Sequence, residues 1–278
     1  MAVSILRYYG GKFYMVDFIM SFMPPHETYV ETHGGGAAVL LAKPRSKVEI
    51  YNDVNQYVVN FFRVIQNHEM RKDLDDLCRI TPYSRRLFTI FKKEIKTEKD
   101  PVRKAMMFFY INKSAFGARQ NNPSWSFCYR PRRNLPDNVS KWHSGIELLD
   151  EVGHRFCEVM IEEIDALKLI PKCDGKKTLF YVDPPYLPET RVDANAYECE
   201  MTRKQHVELL DMLLSLKGMV MLSGYENSLY NKKLKGWRIE EQEFTCRSSA
   251  SKEKHPTRVE VLYLSPNCKP EKEDRRLL

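Results

Sequence analysis

Two hydrophobic periods alternate along this chain. Tyr29-Val-Glu31 reads as a short strand, and Gly34-Gly-Gly36 opens the helix-forming run Ala37 to Ala42. Val48 to Asp53 reads as a second strand. From Val54 to Gln66 the apolar residues fall at helical spacing, at Val58, Val59, Phe61, Phe62 and Ile65. Residues 29 to 66 thus spell strand, glycine-rich turn, helix, strand, helix, the opening of a doubly wound sheet. From 68 to 150 the rhythm breaks into helical stretches around 71–80, 84–96 and 101–112, then a piece rich in Pro, Asn and Arg from 117 to 138. Alternation returns with strands at Glu158–Glu162 and Thr178–Val182, a helix over Thr202–Leu216 and a strand at Gly218–Ser223. Trp237–Phe244 and Val259–Leu264 read as a closing hairpin. An amphipathic helix with Phe13, Val16, Phe18 or Ile19, and Phe22 precedes the first strand. The pattern predicts one open α/β sheet domain built from 1–66 and 151–268, a mostly helical insertion over 67–150, and a charged, frayed tail over 269–278.

Composition changes that picture little. The 278 residues are 43% apolar and 12% aromatic, enough for a real core and against global disorder. The longest apolar runs, Ala37–Ala42 and Gly218–Leu222, fall far short of the roughly 18 residues of a membrane helix. The first nine residues lack the apolar core of a signal peptide. Seven cysteines, widely spaced and without a C-x-x-C pair, fit a reducing, cytoplasmic setting with no zinc or disulfide framework, so no metal site is expected.

Charge changes more. Between Arg79 and Arg133 stand fourteen Lys and Arg against only Glu94, Glu98 and Asp100, a surplus of +11 in a chain whose net charge is +7. A solvated helical face would explain such a segment equally well. Interleaved aromatics (Tyr83, Phe88, Phe91, Phe108, Phe109, Tyr110, Phe116, Trp125, Phe127 and Tyr129) and the amides Asn112, Gln120, Asn121 and Asn122 point towards a polyanion. Nucleic acid takes cations for its phosphates and amides or arginines for its base edges.

Candidate chemistry gathers at three motifs. A strand, a glycine turn, a helix and an acid closing the next strand form a nucleotide-binding layout; here the acid is Asp53, after Gly34 and Gly35. Neither G-x-G-x-x-G nor G-x-x-x-x-G-K-[ST] occurs, which disfavours a dinucleotide enzyme and a P-loop enzyme. Glu31, at the end of strand one, suits a cationic ligand group better than a pyrophosphate. Tyr8-Tyr-Gly-Gly-Lys12 is either a flexible arm into a surface helix or a loop whose Lys12 meets a ligand carboxylate while Gly10 permits close approach. The third motif, Asp183-Pro-Pro-Tyr186, ends an apolar strand, where open sheets bind ligands. Pro184 and Pro185 carry no N–H and fix the backbone direction. A carboxylate, an aimed carbonyl and a tyrosine face make a receptacle for the exocyclic amine of a nucleobase.

In order, Tyr8-Tyr-Gly-Gly-Lys12, Tyr29-Val-Glu…Gly-Gly-Gly36, Asn52-Asp53, Asp165, Asp183-Pro-Pro-Tyr186 and Ser223-Gly-Tyr225 resemble the Dam-type (D12 class) DNA adenine methyltransferases of bacteria and phages, over residues 5 to 265. The resemblance implies a Rossmann-like S-adenosylmethionine methyltransferase sheet with a target-recognition insertion. By position it gives the cofactor S-adenosyl-L-methionine to Tyr8, Gly10, Lys12, Glu31, His33, Gly34, Gly35, Asp53, Asp165 and Asp183. It makes Asp183, Pro184, Pro185 and Tyr186 the catalytic tetrad. It also implies double-stranded DNA as the partner, met through Arg119, Asn121, Asn122 and Arg130, with no membrane and no protein partner required. The chain departs from the family pattern at Thr32-His33, where relatives carry Pro-Phe, an aromatic that packs on the cofactor. His33 is either a cofactor contact or a buried structural residue. The implied reaction flips an adenine from the duplex, stacks it on Tyr186 and holds its 6-amino group on Asp183 and the Pro184 carbonyl. The alternatives are the 4-amino group of cytosine, an RNA adenine, or a catalytically impaired DNA-binding relative.

Overall fold

Five consecutive buried residues, Thr178 to Val182, mark the middle of the sheet. The computed structural model describes residues 4–8, 10–118, 121–190, 199–245 and 257–269. Nine strands are present among them: β1 Thr28–Glu31, β2 Val48–Asn52, β3 Pro131–Arg132, β4 Leu135–Pro136, β5 Met160–Glu162, β6 Thr178–Val182, β7 Met219–Gly224, β8 Arg238–Thr245 and β9 Thr257–Leu264. Seven of them form one sheet in the order β5-β2-β1-β6-β7-β9-β8. β5, β2, β1, β6 and β7 pair in parallel, and β9 runs antiparallel to both β7 and β8. The strand order reverses between β1 and β6, so a crevice opens above their carboxyl ends.

Side chains alternate across these strands. Val30, Phe180, Val182, Val220 and Leu222 face one core, with Leu169, Ile170, Leu209 and Leu210 from helices α9 (Ala166–Cys173) and α10 (Arg203–Leu214). Tyr29, Tyr51, Leu179 and Tyr181 face the other. That second core also takes α3 (Gln56–Gln66), α4 (His68–Ile80), α5 (Arg85–Glu94), α6 (Pro101–Ser114), α7 (Asp137–Ile146) and α8 (Leu149–Phe156). Short helices α1 (Val16–Ser21), α2 (Ala38–Ala42) and α11 (Ser228–Lys233) complete the set. Helix starts follow side-chain caps: Asn55, Asn67, Ser84 and Asp100 accept backbone N–H bonds at α3 to α6, and Thr202 with Gln205 forms a capping box on α10.

Every strand expected from the sequence is present. Four helices, α7, α8, α9 and α11, were not expected; before α7 and α8 the Pro/Asn/Arg-rich piece hides where helix resumes. α8 runs through position 150 and packs on α3, with Phe156 stacked on Phe62 at 4.3 Å between ring centroids. Most interleaved aromatics of the basic segment serve the core: Phe88, Phe91, Phe109 and Tyr110 are buried, whereas Phe116, Phe127 and Tyr129 are exposed. Among the described residues no helix is long and apolar enough to cross a membrane. Of the tail, only Lys269 falls within the described residues.

Candidate active site

A cavity of about 410 Å³ occupies the crevice at the strand-order reversal. All ten residues assigned to the cofactor line it: Tyr8, Gly10, Lys12, Glu31, His33, Gly34, Gly35, Asp53, Asp165 and Asp183. Its volume is that of a site for a small organic molecule.

The glycine turn is shaped by close approach. A Cβ on Gly34 would stand 2.1 Å from the Tyr51 ring, and Gly35 has φ +47°, so neither position accepts a side chain without strain. The turn is tied to β2 through Gly34 N–H, which donates to the Asn52 carbonyl at 2.8 Å. Gly35 N–H donates to Asp53 Oδ2 at 2.8 Å, while Asp53 Oδ1 takes the Asn55 N–H at 2.8 Å. Asp53 therefore holds the turn as well as facing the cavity. Burial pushes its carboxyl up, against the pull of these backbone amides.

Glu31 ends β1 with 2% exposure and accepts from Leu40 N–H at 3.2 Å and Tyr29 Oη at 3.3 Å. Burial pushes it up to about 8. Among the described residues it has no ion pair, so the cavity wall carries a carboxyl group that a cation would ionise. His33, half-buried beside it, hydrogen-bonds the Thr32 hydroxyl at 2.9 Å. Burial, with repulsion from His206, lowers it to about 4, so the imidazole is neutral at pH 7. Exposed Asp165 caps α9, accepting Leu167 N–H at 2.8 Å at the cavity mouth.

Lys12 departs from expectation. It is 3% exposed, and its Nζ donates to the Gly10 carbonyl at 2.7 Å and pairs with Asp183 Oδ1 at 2.8 Å. The same ammonium lies 4.8 Å from the centroid of the Tyr186 ring. Burial opposes its charge, but Asp183 and Glu260 outweigh burial and raise it. Tyr186 is 4% exposed, with its ring edge-on to Tyr225 at 4.8 Å and its hydroxyl donating to Glu260 Oε2 at 2.6 Å. Among the described residues neither the Pro184 nor the Pro185 carbonyl accepts a hydrogen bond. Pro185 lines the cavity; Pro184 is buried behind it.

Glu260 was not singled out from the sequence. The one available signal is an acid inside the apolar run Val259-Glu-Val-Leu-Tyr-Leu264. Asn112 corrects a second reading. It is buried rather than offered to bases, its Oδ1 taking Arg7 N–H at 2.8 Å and its Nδ2 donating to the Arg7 carbonyl at 2.7 Å. α6 thereby clamps the loop that leads to Gly10. Of the DNA candidates, Arg119 lies outside the described residues, Asn121 is exposed, and Asn122 (φ +45°) accepts from Lys92 Nζ at 3.1 Å. Arg130 is exposed with no ion pair among the described residues.

A mostly parallel sheet with a glycine-turn cavity at its strand-order reversal, next to an Asp-Pro-Pro-Tyr tetrad, fits a Rossmann-like methyltransferase. The family model described as "D12 class N6 adenine-specific DNA methyltransferase" matches residues 8–264, and the chain belongs to that family. It is 23% identical to a DNA adenine methylase of Salmonella typhi over 237 residues, 81% of this chain and 82% of the relative. Against the DNA adenine methylase of Escherichia coli K12 the identity is 24% over 240 residues, with the same coverage of 81% and 82%. Against the modification methylase StsI of Streptococcus sanguinis it is 25% over 199 residues, 67% of this chain and 29% of that protein. The protein is an adenine-specific DNA methyltransferase.

Proposed function

We propose that the cavity takes S-adenosyl-L-methionine and that Asp183 to Tyr186 receive an adenine turned out of double-stranded DNA. The observation that carries this reading is Asp183 itself, which lies in the cavity wall and pairs with the ammonium that covers Tyr186. The residues fit the cofactor. Glu31 is an unpaired buried carboxyl suited to an ammonium, Asp53 has acceptor capacity for ribose hydroxyls, and Gly34 and Gly35 leave room for close approach. When bound, the cofactor supplies a methyl group on a sulfonium, open to direct displacement.

The chain's own residues then act by position. The cavity and the end of β6 adjoin, so Asp183 holds the target 6-amino group facing the methyl donor. The Pro184 carbonyl is a second acceptor for that amine, and its direction is set by the two proline rings. Tyr186 offers the ring on which the base stacks, once Lys12 has moved from its face. Aligning nitrogen, methyl carbon and sulfur is worth several kcal/mol of barrier, so positioning carries much of the catalysis. No cysteine nucleophile is needed.

The insertion over 67–150 is assigned to DNA, with Arg119, Asn121, Asn122 and Arg130 on phosphates or base edges, and the sheet domain over 1–66 and 151–268 to methyl transfer. The setting is the bacterial cytoplasm, where a phage gene is also expressed. The test incubates the protein with methyl-labelled S-adenosylmethionine and unmethylated duplex DNA, then digests the DNA and identifies the labelled nucleoside. N6-methyl-2′-deoxyadenosine in the digest supports the reading. Label only in N4-methyl-2′-deoxycytidine, or no transfer, overturns it.

A further inference from the structure

Glu260 is a carboxylate buried to 1% exposure on β9, and the groups that touch it belong to the site. Its Oε2 accepts from Tyr186 Oη at 2.6 Å and its Oε1 from Tyr14 Oη at 3.2 Å. Tyr14 lies in the 3₁₀ helix Lys12–Met15, two residues from the lysine that holds Asp183. A buried carboxylate is expensive, and an apolar residue of similar size in this strand would avoid the cost. Its neighbours Val261, Leu262, Tyr263 and Leu264 are of that kind.

Glu260 stands where Tyr186 ends. The backbone of Tyr186 is fixed by the two prolines before it, and its hydroxyl is fixed by Glu260. A ring held at both ends loses its freedom to swing about χ1 and χ2. Tyr225 meets the ring in a T-shaped contact at 4.8 Å between centroids, and the face a flat ligand takes is the one Lys12 vacates. Through Tyr14 the same carboxylate ties that platform to the Lys12 turn, and thus to the cavity.

We infer that Glu260 is a positioning residue for methyl transfer: it pins the Tyr186 hydroxyl and so presents the ring on which the target base stacks. The inference rests on the reading of Tyr186 as that platform. The experiment compares wild type, Glu260→Ala, Glu260→Gln, Tyr186→Phe and the Glu260→Ala/Tyr186→Phe double variant. It uses a duplex carrying the mapped methylation site and measures kcat, KM for DNA, Kd for S-adenosylmethionine and the melting temperature. Glu260→Ala and Tyr186→Phe should each lower kcat about tenfold, the scale of one buried hydrogen bond, with cofactor Kd within about twofold. The double variant should be no slower than the slower single, because both remove one contact. Glu260→Gln, whose amide oxygen still accepts from the hydroxyl, should recover to within about threefold of wild type.

Losses that multiply in the double variant, or wild-type kcat in Glu260→Ala, overturn the inference. Should Glu260→Ala fail to fold, Tyr186→Phe decides: unchanged kcat overturns the inference, and a tenfold loss with intact cofactor binding supports it. A wild-type enzyme that fails to methylate adenine defeats the underlying reading before any variant is compared.

Discussion

Lys12 Nζ lies 2.8 Å from Asp183 Oδ1, and this one ammonium neutralises the acid on which the target amine is proposed to sit. Without it, half-buried Asp183 and buried Glu260 would repel each other, and among the described residues no other cation acts strongly on either. Breaking a buried ion pair costs about 3–5 kcal/mol because a charge is stranded. Lys12→Met should therefore lower unfolding free energy by about 3 kcal/mol in urea melts, and adding Asp183→Asn should recover most of the loss. Equal instability with and without Asp183→Asn would show that the pair is not the cause. Asp183→Ala, which removes the acceptor itself, should cut methyl transfer by roughly a hundredfold or more.

Glu31 predicts a pH dependence of cofactor binding. At about 8 it is mostly protonated at pH 7, and a cation beside it favours the carboxylate, so binding expels a proton. Affinity for S-adenosylmethionine should rise by up to about tenfold per pH unit between pH 6 and 7.5, below the range where the ligand's own amino group deprotonates. Calorimetry in buffers of different ionisation heat should register the released proton, and Glu31→Gln should flatten the profile. A wild-type profile as flat as that of Glu31→Gln removes the assignment. For stability the sign is opposite. The folded value lies above the ordinary 4.5, so Glu31's contribution is full below 4.5 and is lost as pH rises through about 8.

Asn112 joins α6 to the loop that leads to Gly10 through both polar groups of the Arg7 backbone. Asn112→Ala leaves the half-buried Arg7 N–H and carbonyl without this partner, at about 1–3 kcal/mol. We expect a melting temperature lower by several degrees and a weaker Kd for cofactor, because Tyr8 and Gly10 follow directly in the chain. An unchanged cofactor Kd would mean that the clamp serves the insertion alone.

Arg130 tests the basic segment. It is exposed, and among the described residues it has no carboxylate partner. If it meets a phosphate, Arg130→Ala should weaken binding to all duplexes alike and reduce the slope of log K against log salt by about one. A slope identical to wild type in fluorescence-anisotropy titrations would free Arg130 of that role.

Much of this enzyme was legible in its sequence because local chemistry wrote it there. The alternation of Val30, Phe180 and Val182 with tyrosines marked strands buried on both faces, and Asp-Pro-Pro-Tyr marked where the central strand stops. Gly34 and Gly35 marked a turn that tolerates no side chain, and the charge count marked the basic segment from Arg79 to Arg133. Those signals need only neighbours in the chain. α7 and α8 escaped because an irregular, Pro-rich piece precedes them and long-range packing on α3 and α6 fixes them.

Contacts between residues far apart in the chain were decided by tertiary structure alone. Lys12 was read as free for a ligand, yet folding brings it onto Asp183, 171 positions away. Phe88, Phe109 and Tyr110 read as a polyanion surface, yet the helices turn them inward, because burying an aromatic ring is worth more than offering it to solvent. Glu260 looked like an ordinary strand residue until β9 paired beside β7 and carried its carboxylate to Tyr186. A sequence specifies which groups are present and how the nearest of them point. Which buried charge faces which is fixed only when the strands take their order in the sheet, since a carboxylate in the core must find its partners there.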